Sequence, residues 1–107
     1  MLDIKEQSQA VLAEAKRANV GRAARTLVKE GPLRLTIVGF TAGSSLGDHN
    51  AGGPVSIQVL LGTVDIRIGE RSERLDESRT LVLATNVQHS LTAASDAVIL
   101  LTIGMQV

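Results

Sequence analysis

Two side chains in this sequence exchange a proton near neutral pH, His49 and His89. If the two converge at one cavity mouth, they could orient a polar small molecule. Each histidine stands beside a turn. His49 closes the run Gly43-Ser44-Ser45-Leu46-Gly47-Asp48-His49, and His89 follows Thr85-Asn86-Val87-Gln88. The plainer reading of the pair is two hydrogen-bonded imidazoles retained with a scaffold. Other groups are weaker candidates. Ser44 and Ser45 near His49 offer a nucleophile and a base, but no carboxylate or oxyanion hole accompanies them, and the stretch reads as a polar turn. Glu70, Glu73, Asp76 and Glu77 could serve as paired carboxylates, yet Arg71, Arg74 and Arg79 stand among them, as on a solvated rim.

The elements that must position these residues can be read from periodicity. Between Asp3 and Ala18, Ile4, Val11, Leu12 and Ala15 recur at helical spacing, with Asp3 placed to cap the start and Asn19 and Gly21 to release the end. Beyond Gly31-Pro32, short β-branched runs alternate with turn residues. Strands are expected over Arg25–Lys29, Leu33–Phe40, Val55–Leu61, Thr63–Ile68, Glu73–Leu75, Thr80–Leu83, His89–Ala93 and Ala97–Ile103. Val55, Ile57, Val59 and Leu61 share one face of their strand, and His89 shares its parity with Leu91 and Ala93. Ala42–Pro54 is expected to be the longest irregular segment, the kind of loop that carries a site on a rigid barrel. The arm Arg22–Lys29 ahead of the barrel is expected to be free to cross to a second subunit.

Composition narrows the classes. A chain of 107 residues with 44% apolar and 21% charged residues makes one globular domain. Eleven basic residues balance 11 acidic ones, so no field of one sign is available to hold nucleic acid or an anionic membrane. The absence of cysteine excludes thiol catalysis and thiolate metal sites. Met1-Leu2-Asp3-Ile4 has neither the basic start nor the apolar run of a secretory leader, and a cytoplasmic location is expected.

The run from Gly43 through His49 to Gly62 resembles the first motif of the cupin superfamily, and Leu75–Leu91, ending in Asn86-Val87-Gln88-His89, resembles the second. The resemblance covers roughly residues 25–103. It implies an all-β, double-stranded β-helix (a jelly-roll-like barrel), here with one N-terminal α-helix. Residues 1–24 would form the helix and arm, and residues 25–107 the barrel. In metal-binding cupins three His and one Glu hold a divalent ion. His49 matches the first of these His and His89 the His of the second motif, while the other His falls on Ala51 and the Glu on Val55, neither of which donates a lone pair. Asp48 is the charged residue placed to substitute. In the second motif Asn86 stands at the usual Gly, where it tolerates a left-handed turn, and Ala84 and Ala93 replace the usual Pro and Asn.

Two functional classes follow. One is a non-catalytic or weakly metal-binding barrel holding a small apolar or carboxylate ligand against Val55, Ile57 and Leu91, with His49 and His89 at the polar end. The other is a metal-dependent enzyme of oxygenase or isomerase type using His49 and His89. A divalent metal, weakly held, is the cofactor this leaves open, and a homodimer is the expected assembly.

Overall fold

A computed structural model describes residues 1–105, and at position 49 the backbone alone. The elements are α1 (Ile4–Arg17), β1 (Arg22–Glu30), β2 (Leu33–Phe40), β3 (Ser45–His49), β4 (Val55–Leu61), β5 (Val64–Ile68), β6 (Arg71–Leu75), β7 (Thr80–Leu83), β8 (His89–Ala93) and β9 (Ala97–Gly104). They build two antiparallel sheets, one ordered β1-β2-β9-β4-β7 and the other β3-β8-β5-β6. The alternation in β4 and β5 turns Val55, Ile57, Val59, Val64 and Ile66 into the space between the sheets, where they join Phe40, Leu75, Leu91 and Ile99 in one apolar cluster. This is the all-β barrel with a single helix that the sequence predicts. No helix among the described residues is long and apolar enough to cross a membrane.

Helix α1 lies on the outer face of the five-stranded sheet. Asp3 caps it, its carboxylate accepting the Glu6 amide at 3.1 Å. The stripe read from the sequence then buries Val11 and Ala15 against Ile37 and Val98. Gly39 permits the close approach, because a Cβ there would stand 2.7 Å from the Val11 carbonyl oxygen. Arg25 on β1 ties the helix down through its Nε and Nη2 to the Glu14 carboxylate and through Nη1 to Gln7 Oε1 at 3.1 Å.

That contact makes stability depend on acidity. The hydrogen bond from Arg25 holds the Glu14 carboxyl below its usual range. A depressed folded-state value stabilises the protein fully above the ordinary glutamate value of about 4.3, and the contribution disappears as pH falls through the lower folded value. Thermal melts of wild type and Arg25→Gln should therefore differ at pH 7 and converge in strong acid. A difference of constant size across that range would remove the pair from the account.

Three expectations are corrected. Ala42–Pro54 is not irregular throughout, since Ser45–His49 forms edge strand β3 on β8. The stretch 22–29 is not a free arm: as β1 it pairs with β2 from Arg22–Phe40 to Glu30–Leu33, so its inner-edge backbone groups are satisfied within its own chain. Leu61 does not join Val55, Ile57 and Val59. The register with β9 slips between Val59, opposite Ile99, and Leu61, opposite Val98. Leu60 keeps the outward parity of Ser56 and Gln58 and joins the helix-side cluster, while the slip sets Leu61 opposite outward-facing Val98 and leaves it exposed.

Candidate functional site

The pairing of β3 with β8 sets residues 49 and 89 directly opposite each other, with Leu46 opposite Leu91 and the register slipping between the two pairs. The two motif histidines are thus neighbours across one ladder although forty positions separate them in the chain. The side chain of His49, and with it any role in a site, lies outside the described residues.

His89 is 3% exposed and, among the described residues, is the one buried polar side chain. Its inward parity on β8 follows from the alternation it shares with Leu91 and Ala93, both buried. The turn that delivers it is built on Asn86, at φ 64, the left-handed conformation expected at the motif's glycine position. The Val87 carbonyl oxygen lies 3.0 Å from His89 Nδ1, and since a carbonyl only accepts, Nδ1 carries the proton. No buried side-chain nitrogen or oxygen among the described residues lacks a partner. A polar cleft of about 220 Å³ reaches His89 from outside, bordered by Asp48, Arg67, Gly69 and Gln88.

The positions that would complete a metal site are apolar in their surroundings as well as in their side chains. Val55 is 4% exposed and Ala51 packs against the same aliphatic cluster. Gly53, between them, approaches the Gly104 carbonyl so closely that a Cβ would sit 1.7 Å from its oxygen, which fixes the chain feeding β4. Among the described residues no three His, Cys, Asp or Glu side chains are grouped to hold an ion. The full cupin ligand set does not fit here, and no chemical step is derived through a metal.

Val55, Ile57 and Leu91 lie in the packed interior. The hollow that opens to solvent is elsewhere along the same inner walls. It has a volume of about 410 Å³ and is lined by Ala24, Val38, Leu101 and Ile103 from one sheet and Leu46 from the other, with Arg22 and Thr36 as its polar groups. β1 and β3 are outer strands of their respective sheets, so the hollow is the gap between two sheet edges. Arg22 has no sequence signal of this placement, since residues 22–29 read as an arm. The inward parity of Arg22 and Ala24 becomes visible only once their partners are known to be Phe40 and Val38. A second apolar groove of about 410 Å³ runs beside the helix, bordered by Ile4, Leu12, Leu60 and Leu61.

The remaining candidates do not gather into a site. Ser44 Oγ donates to the Thr41 carbonyl at 2.7 Å, as a turn hydroxyl does. Arg74 grips Asp65 with two hydrogen bonds, at 2.8 and 2.9 Å, which lower the Asp65 pKa. Asp76 is lowered by hydrogen bonds from the Ser78 side chain and amide, and Glu73 pairs with Arg71 at 3.5 Å. Carboxylates engaged with arginine and serine in this way on an exposed hairpin form a solvated rim rather than an acid–base pair.

Comparison with solved structures agrees with this geometry: the chain is a cupin-fold protein, an all-β barrel of the cupin superfamily type. It is similar to a conserved protein of unknown function from Streptococcus pyogenes, with 26% identity and a TM-score of 0.76 over 84% of this chain and 79% of that one. It is also similar to a cupin 2 conserved barrel domain protein from Leptotrichia buccalis, with 26% identity and a TM-score of 0.72 over 78% of this chain and 40% of that one. A salicylate 1,2-dioxygenase from Pseudaminobacter salicylatoxidans superposes with a TM-score of 0.81 at 19% identity, over 92% of this chain and 33% of the dioxygenase, a likeness of fold alone. No protein-family model and no curated protein matches the sequence.

Proposed function

We propose that this chain is a non-catalytic, small-molecule-binding cupin barrel whose hold on divalent metal is weak. The observation that carries the reading is the replacement of two metal-ligand positions by Ala51 and Val55, both packed with the aliphatic interior. Removing even an outer partner of a metal ligand commonly costs about 10–100-fold in affinity or activity, and the loss of two direct ligands costs more. What the interior offers instead is an apolar hollow between the sheets, of a size that suits a small organic molecule. His89, with its Nδ1 proton committed to Val87, supplies the polar end of the packed interior.

The second reading, a metal-dependent enzyme, draws on the placement of residues 49 and 89 opposite each other and on Asp48 at the cleft that reaches His89. Elemental analysis of protein purified without a histidine tag separates the two. The expected result is well under one equivalent of Fe, Mn, Ni or Zn per chain. About one tightly held equivalent, lost in both His49→Ala and His89→Ala, would overturn the proposal in favour of the enzyme.

We further propose that the chain forms a homodimer. Its support is a row across the outer face of the five-stranded sheet, running Val28, Leu35, Thr102, Ser56, Val82, in which Val82 is 68% exposed. Light scattering that returned the 11.3 kDa of a single chain at micromolar concentration would remove it.

A further inference from the structure

The hollow between β1–β2 and β3 has an asymmetry that the small-molecule reading does not use. Its walls are short or aliphatic side chains, and its single charge is the Arg22 guanidinium. Arg22 is half-buried and spans the gap between the sheets, donating from Nη1 to the Ser45 carbonyl at 3.0 Å. Arg25, three residues along β1 and on the opposite face, shows what a satisfied arginine looks like here, with Glu14 and Gln7 occupying its donors. The ion pairs among the described residues join Lys16 to Asp96, Arg25 to Glu14, Arg71 to Glu73 and Arg74 to Asp65, so no described carboxylate neutralises Arg22. A guanidinium offers five N–H donors in one plane, of which the Ser45 bond uses one, and that fork matches a carboxylate.

We infer that the hollow binds a small amphiphilic carboxylate, with its head group on Arg22 and its apolar chain along Val38, Leu46, Leu101 and Ile103. The inference rests on the small-molecule reading and names its ligand class. Charge complementarity selects the head group, because burying the guanidinium under a neutral apolar ligand would strip its water without return, whereas a carboxylate replaces that water. The walls select the body. Thr36 lies four residues along β2 from Phe40, the partner of Arg22, roughly 13 Å at the usual strand rise. That span is long enough for a medium-length acyl chain.

Calorimetric titration with octanoate, octan-1-ol and octylamine tests both levels. Octanoate should bind wild type at least about tenfold tighter than octan-1-ol, the worth of a charged hydrogen bond, and octylamine should bind weakest. Arg22→Gln should bring octanoate down to the affinity of octan-1-ol while leaving octan-1-ol unchanged. Arg22→Lys, which keeps the charge and loses the fork, should fall between. Ala24→Trp, at an exposed position on the wall, should weaken both ligands by filling the hollow, and melting curves check that each variant is folded. If octanoate shows no advantage, or Arg22→Gln leaves its affinity unchanged, the carboxylate assignment is overturned, while octan-1-ol binding lost in Ala24→Trp would still uphold the small-molecule reading. Absence of binding by all three probes would overturn both.

Discussion

Val55→Glu should destabilise the protein by roughly 3 kcal/mol or more, because it places a carboxyl group without a partner in an aliphatic wall. Val55 is 4% exposed, with Ile103 and Leu83 as its cross-strand partners. In a domain of this size such a loss lowers the melting temperature by about 12 °C or more at neutral pH. Burial would also raise the pKa of the introduced group, so the variant should recover part of the loss in mild acid, where the carboxyl is neutral. The same substitution tests the match to the cupin motif. Combined with Ala51→His, it restores every donor type of the metal-binding set, and zinc at 100 times its dissociation constant would then add about 2.7 kcal/mol of stability. Zinc should raise the melting temperature of the double variant and leave wild type almost unmoved. If Val55→Glu melts within a few degrees of wild type, position 55 is not enclosed by the aliphatic wall, and if zinc does nothing to the double variant, positions 51 and 55 do not face a common point.

The second large effect is expected at Phe40, the chain's one aromatic residue, fully buried at the end of β2. Phe40→Ala should cost about 3–5 kcal/mol, combining lost transfer energy with a cavity that rigid neighbours fill only in part. Phe40 sits opposite Ala97 on β9, and small residues at Ala93 and Ala97 make room for its ring in the cluster. Urea denaturation should show a lower midpoint with an unchanged slope. Val82→Ala, on the exposed outer face, is the control and should stay within about 0.5 kcal/mol. A loss under about 1 kcal/mol at Phe40 would mean that the two sheets are not packed around it.

Much of this architecture was legible because the strands that enclose the core carry it in their own alternation. β2, β4, β7 and β8 begin and end where the pattern of apolar and turn residues places them. What stayed hidden is the part decided by partners. β3 contributes a single inward aliphatic residue, Leu46, beside a strand-weakening glycine, and it exists because β8 supplies a ladder to pair with. The displacement of Leu61 is a slip in register against β9 that no property of residues 55–61 announces. β1 opens with Arg22-Ala23-Ala24, which has little strand propensity of its own.

The candidate site divides in the same way. The likeness of Gly43, His49, Gly62 and His89 to the cupin motifs points to the histidine pair and the two missing donors, since motif positions are local facts. The hollow could not be read there, because it arises between the edges of different sheets and owes its charge to a residue outside both motifs.

The most direct test of the account is to locate the apolar ligand by methyl resonances, titrating octan-1-ol into protein labelled at its Ile, Leu and Val methyl groups. The account predicts that the saturating shifts fall on Val38, Leu46, Leu101 and Ile103, between the sheets. Shifts confined to Leu12, Leu60 and Leu61, beside the helix, would contradict it and put the ligand outside the barrel.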